Sequence, residues 1–244
     1  MDAISTSAAS GMQSRMQSLE MLANNLANVE TGGYKADREF YSIYTSTDAT
    51  GNPQTGDFTT LPVIESQWVD HSQGNLRNTS NPLDFAIDGD GLFAVQTPGG
   101  VRYTRNGTFR ISQAGALTAI DGSPVLGQDG TPIQLQPSIP FEVTPDGNVT
   151  QAGQPVAQFQ LSSFEPGRLN KVGLNYFQPD AGTQPKPAAG SIMQGKVEQS
   201  NVGAAESAVR LVAIMRQFEM LQKAMNIGNE LNRRAIEEVA RVAA

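Results

Sequence analysis

Cysteine is absent, and histidine and tryptophan occur once each, as His71 and Trp68. Without thiols the chain forms no disulfide, offers no thiolate nucleophile and builds no thiolate zinc site. A histidine base would have to come from "WVDHSQG", where Asp70 and Ser72 flank His71. Neighbours on an extended segment point to opposite faces, so these three do not assemble a nucleophile, a base and an orienting acid. One tryptophan is sparse for a sugar cleft, and no carboxylate sits in a distinctive motif. Positive charge is also short: 17 Lys and Arg stand against 24 Asp and Glu, a net −7. That balance argues against a nucleic-acid partner, which needs a basic footprint.

Long apolar runs are missing too. Nothing approaches the ~20 residues a membrane-spanning helix needs. The opening stretch "MDAISTSAASGMQSRMQSLE" carries an acid at Asp2 and lacks the apolar core of a cleaved secretory signal, so any export is expected without one. "DGDG" (88–91) has two acids of a calcium loop, but the twelfth position counted from Asp88 is Gly99, where a bidentate Glu belongs. A turn is the better reading. Gly32-Gly33 and Gly99-Gly100 lack the lysine and helix start of a phosphate loop. The sequence therefore predicts no catalytic, metal or cofactor site and no small-molecule substrate.

Proline and glycine show the organisation by where they are not. All 14 prolines lie between Pro53 and Pro187, and of 24 glycines only Gly11, Gly203 and Gly228 fall in residues 1–30 or 201–244. Proline costs ~3 kcal/mol inside a helix and glycine ~1 kcal/mol relative to alanine. Two helical ends around a non-helical middle follow. In residues 3–29, Ile4, Ala8, Met12, Met16, Leu19, Leu22, Leu26 and Val29 recur at steps of three and four, with "TGG" (31–33) as a stop. Val202, Ala205, Val209, Val212, Met215, Phe218, Leu221 and Met225 repeat that rhythm after Asn201, a suitable cap, and it continues less strictly through Leu231, Ala235 and Val239. Glu206 early and Arg233, Arg234 and Arg241 late suit the helix dipole. A rod of roughly 60 Å cannot bury its stripe in a small domain and needs another helix.

The middle alternates like β-structure. Leu83, Phe85, Ile87, Phe93 and Val95 mark one hairpin, and Asn106-Gly107 between Val101/Tyr103 and Phe109/Ile111 predicts another. Asp121-Gly122, Asp129-Gly130 and Asp146-Gly147 repeat the turn chemistry. The expected fold is α+β: long amino- and carboxyl-terminal helices pairing as a coiled coil, with a central antiparallel β-domain. The expected boundaries are an amino-terminal helix at 1–30, an extended connection at 31–80, the β-domain at 81–177, a linker at 178–200 and a carboxyl-terminal helix at 201–244.

Three segments carry a resemblance. "ANNLANVETGGYK" (23–35) and "SNVGAAESAVRLVAIMRQFEMLQKAMN" (200–226) resemble the two terminal signatures of the flagellar axial proteins, the rod and hook subunits of bacteria. "NPLDFAIDGDGLFAVQTPGGVRYTRNGTFRISQAGALTAIDGSPVLG" (81–127) is similar to the central segment that those proteins share. Residues 45–62 are the least recognisable. The short middle is more similar to a rod protein than to a hook subunit, and the "MDAISTSAAS" start with Phe218 leans to a proximal rather than a distal rod member. The resemblance implies a structural subunit of the basal-body rod, built into a helical axial structure that crosses the periplasm and transmits torque to the hook. It implies export through the flagellar type III apparatus, and as partners other rod proteins and copies of the chain. Another axial protein is the alternative, and a secreted β-rich adhesin or enzyme a more distant one.

The asparagines of "LEMLANNLANVETGGYK" (19–35) remain to be placed. In a helix Asn24 and Asn28 share a face with Asn25 alongside, next to the Leu22 and Leu26 stripe. One reading is a polar strip that sets register between subunits, as buried amides do in apolar seams; the other is helix-end capping or exposure to water. The expected assembly interface is Leu19, Leu22, Asn24, Asn25, Leu26, Asn28, Val209, Val212, Met215, Phe218, Leu221 and Met225.

Overall fold

The structure is a computed structural model, and it describes residues 3–46, 59–173 and 175–242. Most of the segment 45–62 and the side chains of Ile4, Ala8, Ala235 and Val239 lie outside the described residues. Among the described residues a series of short strands lies in sequence between two helices: α1 spans Ala3–Ala27 and α2 spans Ala204–Val242. The chain divides into two units. Unit 1 holds Met1–Ala27, Asp37–Trp68 and Gly203–Ala244; unit 2 holds Asn28–Ala36 and Val69–Val202.

In unit 1 the strands Asp37–Ser46 and Thr59–Val69 pair as a two-stranded sheet. The expected coiled coil is not present. A coiled coil buries side chains of both helices along one continuous seam, yet Val209 is 72%, Val212 49% and Met215 48% exposed. Among the described residues of α2, Ile214 is the buried one, and it was not on the expected seam. The two helices do touch, as where Leu221 lies 3.5 Å from the place an added Cβ on Gly11 would take, but no continuous buried seam runs along α2. The terminal periodicity predicted helices correctly and their mode of association wrongly, because periodicity reports a face and not what covers it.

Unit 2 is β-rich and antiparallel. Its largest sheet runs Leu169–Val172, Tyr176–Pro179, Gly100–Thr104, Leu92–Thr97, Leu161–Ser163, Lys186–Pro187. Phe85, Phe93, Phe109 and Phe159 form the aromatic centre of the core, with Phe93 edge-on to Phe109 at 5.3 Å and Phe85 5.2 Å from Phe159. Ile87, Val95, Leu117, Val125, Ile133 and Ile192 complete it. Full burial of such side chains contributes ~1.5–3 kcal/mol each before ordering costs. The strand Phe85–Asp88 is buried on both faces, which is why its alternate position is the small Ala86.

Neither expected hairpin forms as read: Phe85–Asp88 pairs with Ser191–Gln194 and not with Leu92–Thr97 across the "DGDG" turn. Gly100–Thr104 pairs back on Leu92–Thr97 through Pro98-Gly99, while Arg110–Ile111 pairs with Leu117–Thr118. Asn106-Gly107 is therefore not a hairpin turn. Gly107 passes against the strand Phe85–Asp88: its carbonyl accepts from Phe85 N at 2.9 Å, and a Cβ would sit 1.9 Å from the Phe85 carbonyl oxygen. The glycine serves close backbone approach, which local sequence does not distinguish from a turn.

Candidate functional site

Among the described side chains and glycines of α1 the buried residues are Gly11, Ser14, Ser18, Met21, Leu22 and Asn25. They keep helical spacing but include small polar residues; Met16, which the apolar stripe placed inside, is 54% exposed. Ser18 satisfies its hydroxyl by donating to the Ser14 carbonyl at 3.1 Å, four residues back. Leu19 and Leu26 are half-buried and Asn24 is exposed.

Asn25 and Asn28 have partners within the chain. The Asn25 amide donates to the Asp37 carbonyl at 2.8 Å and accepts from Asp37 N at 3.0 Å, so one side chain copies a strand's hydrogen-bonding pair. Asn28 accepts from the Thr31 hydroxyl at 3.2 Å, and its carbonyl accepts from Thr31 N at 3.1 Å, closing the turn after α1. On α2 Val209, Val212 and Met215 are exposed and Phe218, Leu221 and Met225 are half-buried. Met220, Ile227 and Leu231 are exposed as well. Arg210 donates to Glu39 at 2.9 Å, with the Glu39 side chain buried.

The strongest polar construction lies in unit 2, at residues the sequence did not single out. Glu198, on the strand Lys196–Glu198, is wholly buried. Its Oε1 accepts from Lys35 Nζ at 2.7 Å and from Gly74 N at 2.9 Å, while Oε2 accepts from Arg105 Nε. Its backbone carbonyl accepts from Gly33 N at 2.8 Å. Lys35 also donates to the Ser72 carbonyl at 2.6 Å. Arg105 spends the rest of its fork on the "DGDG" loop: Nη2 donates to the Ile87 and Gly89 carbonyls at 2.8 and 2.6 Å, and Nη1 to that of Gly91. A guanidinium thus occupies the concave side of the loop, and five donors in a fixed plane suit carbonyls fanned around it.

Two cations and one carboxylate leave this cluster one positive charge in excess. Burial pushes the Lys35 ammonium below its ordinary 10.5; Glu198 opposes that fall and Arg105 adds to it. Removing one partner from a buried pair costs about 3–5 kcal/mol, because the other charge is stranded. Gly74 closes the packing, since a Cβ there would lie 2.0 Å from the Gln199 carbonyl oxygen.

Asn201 sits beside this cluster. Expected as a helix cap, it precedes α2 by three residues and binds elsewhere: Oδ1 accepts from Ala36 N at 2.8 Å, and Nδ2 donates to the Asp70 carbonyl at 2.7 Å and to Ser72. Lys171 donates to the Lys35 carbonyl at 3.0 Å and lies 3.8 Å from the centre of the Tyr34 ring. His71 packs at a tilt of 60° against Phe177, with ring centres 5.1 Å apart. His71 is exposed on one side, but loss of water beside that ring lowers its pKa from 6.5, nearby Lys35, Lys171 and Arg105 lower it further, and Asp70 opposes them. Segments 33–36, 70–75 and 198–201 and Arg105 therefore converge, joining residues 163 and 165 positions apart. No local pattern signals this; the sequence cue is that Lys35 and Asn201 fall inside the quoted terminal motifs and Arg105 inside the central one.

Comparison with known proteins accounts for the same three stretches. Residues 6–35 match the family model "Flagella basal body rod protein", residues 86–153 the "Flagellar hook protein FlgE/F/G D1 domain", and residues 193–238 the "Flagellar basal body rod FlgEFG protein C-terminal". Lys35, Arg105 and Glu198 fall one in each. The flagellar basal-body rod protein FlgG of Buchnera aphidicola subsp. Schizaphis graminum is 31% identical over 91% of this chain and 94% of its own length. The rod protein FlgF of Mesorhizobium japonicum is 33% identical over 82% of this chain and 83% of its own, and that of Caulobacter vibrioides 32% over 92% of each.

Proposed function

Because the chain belongs to the flagellar basal-body rod protein family, and is thus a structural subunit of the flagellar axis in the basal body, we propose that it assembles through its terminal helices into a helical structure that crosses the periplasm and transmits torque to the hook. The family implies assembly with other rod proteins. In our reading it also contacts copies of itself, arrives through the flagellar type III export apparatus, and takes the proximal position along the rod. It carries no catalytic role, and neither nucleic acid nor a small molecule is a partner.

The observation that supports this is the number of large apolar side chains exposed along α2. Val209, Val212, Met215, Met220, Ile227 and Leu231 are all 48% exposed or more on one helix. So many large apolar side chains left in water on one helix, with the charged Arg216, Glu219 and Lys223 among them, suit an interaction surface. A helical polymer needs two complementary patches per subunit, because head-to-tail contacts do not close. The α1 positions Leu19, Leu22, Asn24, Leu26 and the α2 positions Phe218, Leu221 and Met225 complete the proposed interface, with Asn25 and Asn28 shaping α1 from within.

Val209→Asp tests it. An exposed substitution changes folding stability by no more than about 0.5 kcal/mol, so the purified variant should unfold at the same urea concentration as the parent. Cells carrying it in place of the parent gene should lose rods and swimming. Normal basal bodies in those cells would remove α2 from the interface, and an electron-microscopy map of a basal body with this subunit traced would fix its rod position.

A further inference from the structure

We propose that Glu198 is a positioning residue for assembly: its carboxylate clasps Lys35 and Arg105 and thereby holds the segment following α1 beside the segment leading into α2. The link to assembly rests on the rod reading above; the clasp itself does not.

Four observations carry it. Glu198 touches three separated stretches through three acceptors: Lys35 and Gly74 at Oε1, Arg105 at Oε2, and Gly33 at the backbone carbonyl. The side chains of Lys35, Arg105 and Glu198 are 2%, 5% and 0% exposed, so water does not substitute for any partner. Glu198 ends the last strand before α2, which pairs with Leu76–Asn78, and Gln199 N continues that pairing onto the Asn75 carbonyl at 2.8 Å. Asn201, two residues further on, ties the backbone of Ala36 to that of Asp70. The chain passes between its two units at 27–28, 36–37, 68–69 and 202–203. Gly33 to Ala36, Asp70 to Gly74 and Glu198 to Asn201 stand next to three of those passages.

The charge arithmetic gives the device its direction. Lys35 and Arg105 are like charges brought into one buried place, where they repel one another. Until a carboxylate arrives from a residue 163 positions after the first and 93 after the second, that place cannot close over both. Glu198 supplies the buried carboxylate that touches both cations, with Asp70 also favouring the charged Lys35, and the segments flanking both helices are drawn together with it. A merely space-filling residue would make no distinction between a neutral and a charged Lys35 position.

The test uses four full-length chains: the parent, Lys35→Met, Glu198→Gln and Lys35→Met/Glu198→Gln. Trypsin cleavage after Arg105, followed by mass, reads whether the clasp is shut. Glu198→Gln should raise that rate at least 10-fold, and Lys35→Met in the same chain should bring it back toward the parent, because one of the two repelling charges is gone. If Glu198→Gln unfolds outright, the double variant must still be the better protected. Parental protection of Arg105 in Glu198→Gln, or equal exposure in the single and double variants, overturns the clasp.

Basal bodies from cells carrying each chain supply the second readout. Rods should be lost with Glu198→Gln and partly restored by the double variant. Intact rods in Glu198→Gln cells, with Arg105 exposed in the purified chain, overturn the positioning role and leave the rod reading standing. Flagella in cells lacking the gene altogether sink the rod reading and leave the clasp measurement untouched.

Discussion

Glu198 and Gly107 mark the two ways in which single residues control this protein. One brings a charge that others need, and the other brings nothing, where anything more would collide. Gly107→Ala places a Cβ 1.9 Å from the Phe85 carbonyl oxygen and 3.1 Å from the Phe93 ring, so backbone and core must both move. Overpacking typically costs 1–3 kcal/mol; with backbone rather than a flexible side chain in the way, a loss of about 3 kcal/mol in urea unfolding is expected. His71 offers a measurement without mutation, because a single histidine gives a single imidazole titration. Its midpoint should fall below 6.5, since loss of water beside Phe177 and the cations Lys35, Lys171 and Arg105 outweigh Asp70. The folded protein then binds that proton less readily than the unfolded chain does. Unfolding takes up protons between the folded midpoint and 6.5, so the His71 contribution is intact above 6.5 and lost as pH falls through that window. A midpoint at or above 6.5 in proton NMR would reverse the sign.

At the scale of elements, the asparagines show why one helix was only half legible. Asn24, Asn25 and Asn28 read from sequence as one strip, but the fold separates them. Asn24 is exposed, Asn25 is hydrogen-bonded to both sides of the Asp37 peptide, and Asn28 closes the turn to Thr31. Asn25→Ala strands a buried N–H and a carbonyl, each worth ~1–3 kcal/mol when left unmade. It should destabilise the chain by about 2 kcal/mol and speed hydrogen exchange at the Asp37 amide, whereas Asn24→Ala should cost clearly less. Equal effects would mean that Asn25 does not anchor α1 to the strand Asp37–Ser46. The buried face of α1 was missed for a related reason. Ser14 and Ser18 lie inside, Ser18 feeding its hydroxyl back to the Ser14 carbonyl, and small polar residues carry no apolar signal.

For the whole molecule, exposure of α2 beside burial of the clasp predicts an order of digestion. In dilute solution trypsin should cut at Arg216, Lys223, Arg233 and Arg234, which are exposed on α2, before it cuts at Lys35 or Arg105. Sites exposed on a helix are reached after a smaller opening than clasp residues, which require unit 2 to open. In isolated rods the α2 sites should become resistant, as the proposed interface covers them. Cleavage at Arg105 ahead of α2 would invert the expected stability of the two units.

The sequence alone determined the zones, because proline and glycine penalties are local and large enough to place helices at both ends and strands between them. It determined the alternating core of Phe85, Ile87, Phe93 and Val95 for the same reason: a strand's two faces are written in every second residue. Its three motifs were enough to reach the family. Only the tertiary structure decided that Asn106-Gly107 is a crossing and not a turn, that α2 shares no coiled-coil seam with α1, and that Lys35, Arg105 and Glu198 are one cluster. Each of those depends on which distant segment comes near. Contact between residues 163 positions apart leaves no periodic trace, since the partner of a buried charge is chosen by the path of the whole chain.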